Sequence, residues 1–396
     1  MCLLLASVTA RGRVFAACVI GLGALTTVVA QFVPQLDAVF MLIWAGFALV
    51  AGVRFRSEVV LSGLPLACIA AGVLLGVYCS VCYLATGEVG YLDGFLLLYA
   101  KTLLMYVVGL MSFPAVGVSG RCWRIVFVLY LVGAGAYLVW AMASYFPGLS
   151  AWMSSEVYLF SSKNSMGQIC AVASILLFVA AFSSGRMASR VTFATLAAAF
   201  WVGILIMQCR TAALGVVLAC VSILMVRRKK RVLLVVVAAA LLVVAASPAV
   251  QSFLAHAFFL DKYSGAGADE MSSGRLGLWS EALAALRGHE LTGLGDYYTD
   301  NLYVNVLVNL GVLGFLLLMA VWAARIVANV RLSASGRAAS GPLAGLLLPL
   351  TVFYLFESLL EGLPPFGPGT CSFLFWIICG CCDASEVRSV KGDLRT

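Results

Sequence analysis

Residues 272–324, SSGRLGLWSEALAALRGHELTGLGDYYTDNLYVNVLVNLGVLGFLLLMAVWAA, decide the fold. Their second half is an apolar run over 301–324. A bilayer core of about 30 Å needs roughly 20 such residues in helix, so the run reads as a membrane span. Their first half is polar and glycine-rich. It holds Ser273-Gly274-Arg275, then Trp279, a Gly293-x-Gly295 turn and the pair Asp300-Asn301. Within it Leu276, Trp279, Leu283 and Leu286 recur at helical spacing, which predicts a loop helix at the membrane surface or over a cavity.

The rest of the chain repeats the apolar half of this stretch. Of 396 residues, 63% are hydrophobic and 11% charged, with a mean hydropathy of +1.06. That balance belongs to an all-α, polytopic membrane helix bundle forming a single membrane domain over 1–396. The runs 14–33, 36–53, 59–84, 92–116, 125–146, 165–183, 191–207, 211–226, 232–252, 301–324, 343–361 and 367–382 predict about twelve spans. Only Gln208, Cys209 and Arg210 separate the seventh from the eighth, so these two could form one bent or re-entrant element. The N-terminus shows no signal-peptide pattern, because Arg11 and Arg13 precede the first run and no small-residue cleavage site follows it.

The net charge of +8 does not point to nucleic acid, because the basic residues form short clusters between apolar runs. With the N-terminus in the cytoplasm, Lys101 falls within the fourth span. Lys163, Arg210, Lys262, Arg275 and Arg287 fall outside, and the other Lys and Arg residues, Arg325 among them, fall inside. This asymmetry predicts cytoplasmic N- and C-termini. It also predicts two long outer segments, 147–164 and 253–300, the second a helical outer loop between spans 9 and 10. Most of the 13 cysteines lie in apolar runs, as small hydrophobes do. With two histidines, His256 and His289, the chain suggests no zinc set, no other metal and no cofactor.

The outer cations have no topological reason to be there. Arg210 stands at the mouth of spans 7 and 8, and Arg275 at the first turn of the loop helix. Helix starts attract anions, and guanidinium forks fit phosphate oxygens, so together the two suit a diphosphate. Each could also simply reach lipid headgroups or pair with a loop acid. Lys163 and Asn164, in SKNSMGQ, open span 6. Lys163 could draw in an anionic lipid carrier, while Asn164 could merely cap a helix. Lys101 lies at a depth where a charge costs about 2.5–3.5 kcal/mol, so it should face protein or water. Glu357, Glu361 and Asp93 are candidate partners, and a substrate cavity is the other reading. Asp300 is either the N-cap of span 10 or a general base for a sugar hydroxyl. His289 is an alternative base. Asn301, Asn305 and Asn309 share one helix face, as inter-helix glue would.

In this order the pieces resemble the O-antigen ligase and polymerase family. The matches are Lys163-Asn164-Ser165 before a span, Arg210-Thr211 at a span mouth, Ser273-Gly274-Arg275 with Trp279, Gly293-x-Gly295, Asp300-Asn301 and Gly311-x-x-Gly314. The resemblance implies a metal-independent, inverting glycosyl transfer at the outer face of a bacterial inner membrane. The donor would be a glycan on undecaprenyl diphosphate, and the acceptor a glycan or lipid. Membrane lipids, a flippase and a chain-length regulator would be its partners. Arg210 and Arg275 would hold the leaving diphosphate. Asp300 would be the catalytic base. Lys163, Asn164, Ser273, Gly274, Trp279, Asn301, Lys101 and Glu357 would line the substrate. The ligase branch carries His-Asn where this chain has Asp300-Asn301, and Asp-Asn is more similar to repeat-unit polymerases.

Two other classes compete with this reading. Twelve spans with both termini inside is also a transporter plan, but the Arg54–Ser57 loop lacks Gly-x-x-x-Asp-Arg-x-Gly-Arg and no six-span repeat is visible. A non-catalytic assembly protein of the same fold is the second.

Overall fold

The computed structural model describes residues 10–56, 58, 61, 63–117, 120–154, 163–226, 238, 242–260, 267–334, 343–366 and 372–393. All regular structure among them is helical. The helices are α1 (Ala10–Val29), α2 (Asp37–Arg54), α3 (Leu64–Thr86), α4 (Tyr91–Val116, opening with a π turn), α5 (Gly120–Tyr145), α6 (Leu149–Ser154) and α7 (Lys163–Ser183). They continue with α8 (Met187–Ile206), α9 (Arg210–Val226), α10 (Pro248–Phe258), α11 (Arg275–Ala285), α12 (Leu302–Ala334), α13 (Ala344–Glu357) and α14 (Phe373–Asp393). Seven of them are long and apolar enough to cross a membrane, and the segments Ala38–Arg54, Arg210–Met225 and Ala344–Glu357 are shorter apolar helices. The chain is a multi-pass membrane protein. Of the expected ninth span, 232–252, residues 232–237 and 239–241 lie outside the described residues.

The described residues form two compact units. The first comprises 1–130, 277–347 and 357–396, and the second 131–276 and 348–356. In the first, α4 packs on α14 through paired glycines. A side chain at Gly109 would meet the Ile377 carbonyl, and one at Gly380 would meet the Tyr106 carbonyl. Apolar side chains gain nothing by leaving lipid for another helix, so close backbone approach supplies the attraction instead. Beside this contact, Asp383 of α14 binds Arg325 of α12, with one guanidinium–carboxylate bond at 2.9 Å. Tyr106 donates to the same carboxylate at 2.6 Å, and Arg325 Nε donates to Asn329 at 3.0 Å. Arg325 is 0% exposed.

This corrects the reading of Arg325 as an inner-loop cation. Helix α12 runs ten residues beyond the apolar run that ends at Ala324, and Arg325 is an interior ion pair of the bundle. Lys101 behaves differently. It is half-buried and forms no ion pair among the described residues, so the expected pairing with Glu357, Glu361 or Asp93 is absent there.

In the second unit α7 is central, with an unbroken buried run from Met166 to Leu177. Small residues let α8 and α9 approach it: Gly167 faces Cys209, and Ser174 donates to the Ala197 carbonyl at 2.9 Å. Met207 and Cys209 donate back to the Gly203 and Ile204 carbonyls, ending α8, and Ala213 donates to Cys209, starting α9. Residues 191–226 therefore form most of α8 and all of α9, two helices joined by a tight turn.

Candidate functional site

Of the cations expected on the outer side, Lys163, Arg210 and Arg275 belong to the second unit and Arg287 to the first, while Lys262 lies outside the described residues. Gln208 takes a left-handed backbone (φ 56°) in the α8–α9 turn, and two residues later Arg210 is the first residue of α9. The Arg210 guanidinium donates to Ser273 Oγ at 2.6 Å, joining two motifs that are 63 residues apart. Its Cζ lies 5.1 Å from the centre of the Phe259 ring, and Lys163 Nζ lies 6.0 Å from the same ring. The Lys163 carbonyl faces Cys209 Sγ at 3.0 Å, which ties the start of α7 to the Arg210 turn.

The Ser-Gly-Arg motif makes the second helix start. Gly274 (φ 78°) and Ser273 (φ 62°) are both left-handed, closing the one-turn helix Ala268–Met271 through bonds to the Asp269 and Glu270 carbonyls. Ser272 Oγ then accepts from Leu276 N at 3.3 Å, and Arg275 begins α11. Arg210 and Arg275 are thus each the first residue of a helix, where unsatisfied N–H groups and the helix dipole favour anions. Near them His256 of α10 sits edge-on to Trp152, 4.3 Å between centroids, and 3.3 Å from the Gln208 amide. Phe259 and His256 have no sequence signal of a site. Phe259 stands in the apolar run Ala-His-Ala-Phe-Phe-Leu, and His256 reads there as an isolated histidine.

The polar pair and the glycine motifs belong to the first unit. Helix α12 is broken at Gly311 (φ 62°, ψ −174°), a conformation closed to residues with a Cβ. The break frees carbonyls that the Gly293-x-Gly295 turn takes up: Leu294 N donates to Val308 at 2.8 Å and Gly295 N to Asn309 at 3.0 Å. In return Val312 N donates to the Glu290 carbonyl at 2.8 Å. Tyr78 and Tyr91 clamp the same junction from α3 and α4, donating to Leu310 at 2.6 Å and to Thr292 and Gly293 at 3.0 Å. The glycines are there for close approach, since a side chain at Gly311 would strike the Leu291 carbonyl and one at Gly293 the Asn309 carbonyl. Glu290 finishes the turn. Its carboxylate accepts the Gly288 N–H, and these backbone bonds hold it below the usual carboxylate range.

The asparagine face is a ladder of backbone contacts. Asn301 Oδ1 accepts from Tyr303 N and Val304 N at 2.9 and 3.1 Å, so Asn301, rather than Asp300, caps α12. Asn301 Nδ2 donates to Leu359 at 2.9 Å, and Asn305 Nδ2 to Gly362 at 2.9 Å. Asn309 bonds both Tyr297 N (2.6 Å) and Tyr297 O (2.7 Å). The asparagines thus bind the turn that follows α13 and the segment that precedes α12, which corrects the expectation that they join one helix to another. Asp300 is half-buried and precedes this cap, and Glu357 is buried at the end of α13. Thr299 Oγ1 and Trp279 Nε1 are enclosed without a hydrogen-bond partner among the described residues.

The loop helix α11 forms as expected but turns a different face inward. Ala282 and Leu286 are buried with Val308, while Leu276 and Leu283 remain 44% and 46% exposed. The buried stripe is rotated because the helix docks on α12 through small and end positions. Of the expected site residues, Arg210, Arg275, Lys163, Asn164, Ser273 and Gly274 belong to the second unit. Trp279, Asp300, Asn301, Lys101 and Glu357 belong to the first.

Residues 194–319 match the O-antigen ligase family model (Wzy_C), a span that includes Arg210, Arg275, Asp300 and Gly311. No curated protein sequence matches the chain.

Proposed function

With an O-antigen ligase domain over residues 194–319 as the premise, we propose that the chain polymerises oligosaccharide repeat units carried on undecaprenyl diphosphate. The match supports a membrane enzyme of polysaccharide assembly of the ligase or polymerase type, and a lipid-linked glycan and an acceptor are the substrates proposed for it. The observation that carries the finer reading is the Arg210–Ser273 bond. It brings the helix-start cation of α9 to within two residues of the helix-start cation of α11. Two guanidinium groups at two helix starts suit the two phosphates of a departing diphosphate. In a site sheltered from water they stabilise developing charge more strongly than in bulk, and need no metal to do so.

The acceptor sugar hydroxyl attacks the anomeric carbon as the C–O bond to the diphosphate breaks. The hydroxyl proton passes to Asp300, and the diphosphate leaves on its lipid. Lys163 and Asn164 meet the carrier at the start of α7, and Ser273 and Gly274 shape the phosphate turn. Trp279 and Glu357 line the sugar side, and Asn301 sets the start of α12. Lys101, with no ion pair among the described residues, is the cation proposed to face the substrate cavity. The site opens to the outer face of a bacterial inner membrane crossed twelve times, with both termini in the cytoplasm. A flippase supplies the donor and a chain-length regulator acts on the product. Asp300-Asn301, where ligases carry His-Asn, favours polymerase over ligase.

The test is transfer by the purified protein in lipid, given a matched undecaprenyl-diphosphate donor. A ladder of repeat units is expected, and single transfer to a lipid A core would make the protein a ligase. Removing one such charge donor costs roughly 100–1000-fold in turnover, so Arg210→Ala and Arg275→Ala should each fall by that much. Asp300→Asn should fall about 100–10,000-fold, as loss of a general base does. Arginine variants as active as wild type would refute the diphosphate site.

A further inference from the structure

We propose that Phe259 is a positioning residue that holds the Arg210 guanidinium and the Lys163 ammonium over one aromatic ring, so that both cations meet the same anionic ligand. The inference rests on the diphosphate reading of Arg210 and extends it to a residue that touches no reacting atom.

Three observations carry it. The first is geometry. The Arg210 and Lys163 charges lie 5.1 and 6.0 Å from the centre of the Phe259 ring, within the range where the negative ring face attracts a cation. One ring thus attracts both cations and fixes each beside it.

The second is backbone cost. Phe259 ends α10 in the left-handed region (φ 59°, ψ 29°), with its N–H returned to Ala255 and His256. That C-cap is glycine's usual place, and a bulky residue there is an outlier. The turn alone would be better served by Gly, so it is the ring that keeps Phe at this position.

The third is that this strain is not scattered. The left-handed non-glycine residues among the described residues are Gln208, Phe259 and Ser273. Ser273 bonds Arg210, Phe259 lies under it and Gln208 precedes it by two residues. Strained backbone concentrated on one side chain marks a group whose placement matters more than local stability.

The experiment measures undecaprenyl diphosphate binding to the full-length protein in nanodiscs, with thermal unfolding alongside. Phe259→Leu keeps apolar bulk but loses the ring face at both cations, and binding should weaken about tenfold. Phe259→Trp should restore it. Phe259→Gly should weaken binding as much as Leu does while unfolding no earlier than wild type, because the strain is relieved. A merely structural role predicts the reverse: early unfolding of the Gly variant and no rescue by Trp. Arg210→Ala separates the two claims. If Arg210→Ala weakens binding and Phe259→Leu does not, the Phe259 role is overturned and the diphosphate site stands. If neither does, both fall.

Discussion

The Arg325–Asp383 pair offers the clearest energetic test of the first unit. Both side chains are interior, at 0% and 2% exposure, and Asp383 is bound by two guanidinium nitrogens and by Tyr106. Replacing Arg325 with Met leaves a carboxylate with only the Tyr106 hydroxyl to satisfy it. Replacing Asp383 with Leu leaves a guanidinium with only Asn329. Breaking a buried pair from one side costs roughly 3–5 kcal/mol, most of it the burial of an uncompensated charge. Each single variant should therefore lose about that much stability, a shift of roughly 100- to 5,000-fold in the unfolding equilibrium. The double variant has no orphaned charge and should lose far less than the sum. With Tyr106→Phe added, so that no hydroxyl is left without its acceptor, it should approach wild type. Equilibrium unfolding in mixed micelles measures all four proteins. Additive losses, with the double variant as unstable as the two singles combined, would refute a coupled pair and mean that each residue acts through separate packing.

Gly311→Ala places a Cβ where the backbone is left-handed and extended and where the Leu291 carbonyl already sits. It should cost about 1–3 kcal/mol in backbone strain alone, and hydrogen exchange should show the Leu294, Gly295 and Val312 amides opening together. Asn301→Ala removes the cap of α12 and should cost about 1 kcal/mol, while Asn301→Ser should recover most of it. Equal loss in the two Asn301 variants would mean that the bond to Leu359, and not the cap, is what matters.

The helices were legible because a bilayer imposes length and apolarity on every span, and those requirements are local. The described helices begin or end within a few residues of the apolar runs, as at α3, α7 and α9. What sequence could not reveal depended on partners far along the chain. Arg325 read as a loop cation because Asp383 is 58 residues away. Gly311-x-x-Gly314 read as an ordinary small-residue helix motif, yet its first glycine breaks the helix. The reason is three hydrogen bonds to residues 290–295, and no helical pattern encodes those. The cations behaved differently again. Arg210 and Arg275 stand out because, with the N-terminus assigned to the cytoplasm, charge asymmetry gives no reason for a guanidinium at either position. Phe259 stayed hidden because one aromatic in an apolar run is unremarkable until its backbone angle is known.

The two units place their constraints differently, and the difference bears on chemistry. In the first, the junction of Gly293, Gly295, Asn309 and Gly311 is over-determined: the carbonyls freed by the break are bonded, and tyrosines from two other helices lock it. In the second, three residues hold unfavourable backbone conformations around a single arginine. A saturated junction fixes a scaffold. A strained setting fixes a charge before its ligand arrives, which is what stabilisation of a leaving diphosphate requires, because reorganisation during bond cleavage would forfeit the gain. The cap assignment sharpens this division at Asp300. Asn301 alone satisfies the first amides of α12, so capping gives no reason for a carboxylate at position 300. Asp300→Asn leaves that cap in place, so it tests the proposed base separately from the start of α12.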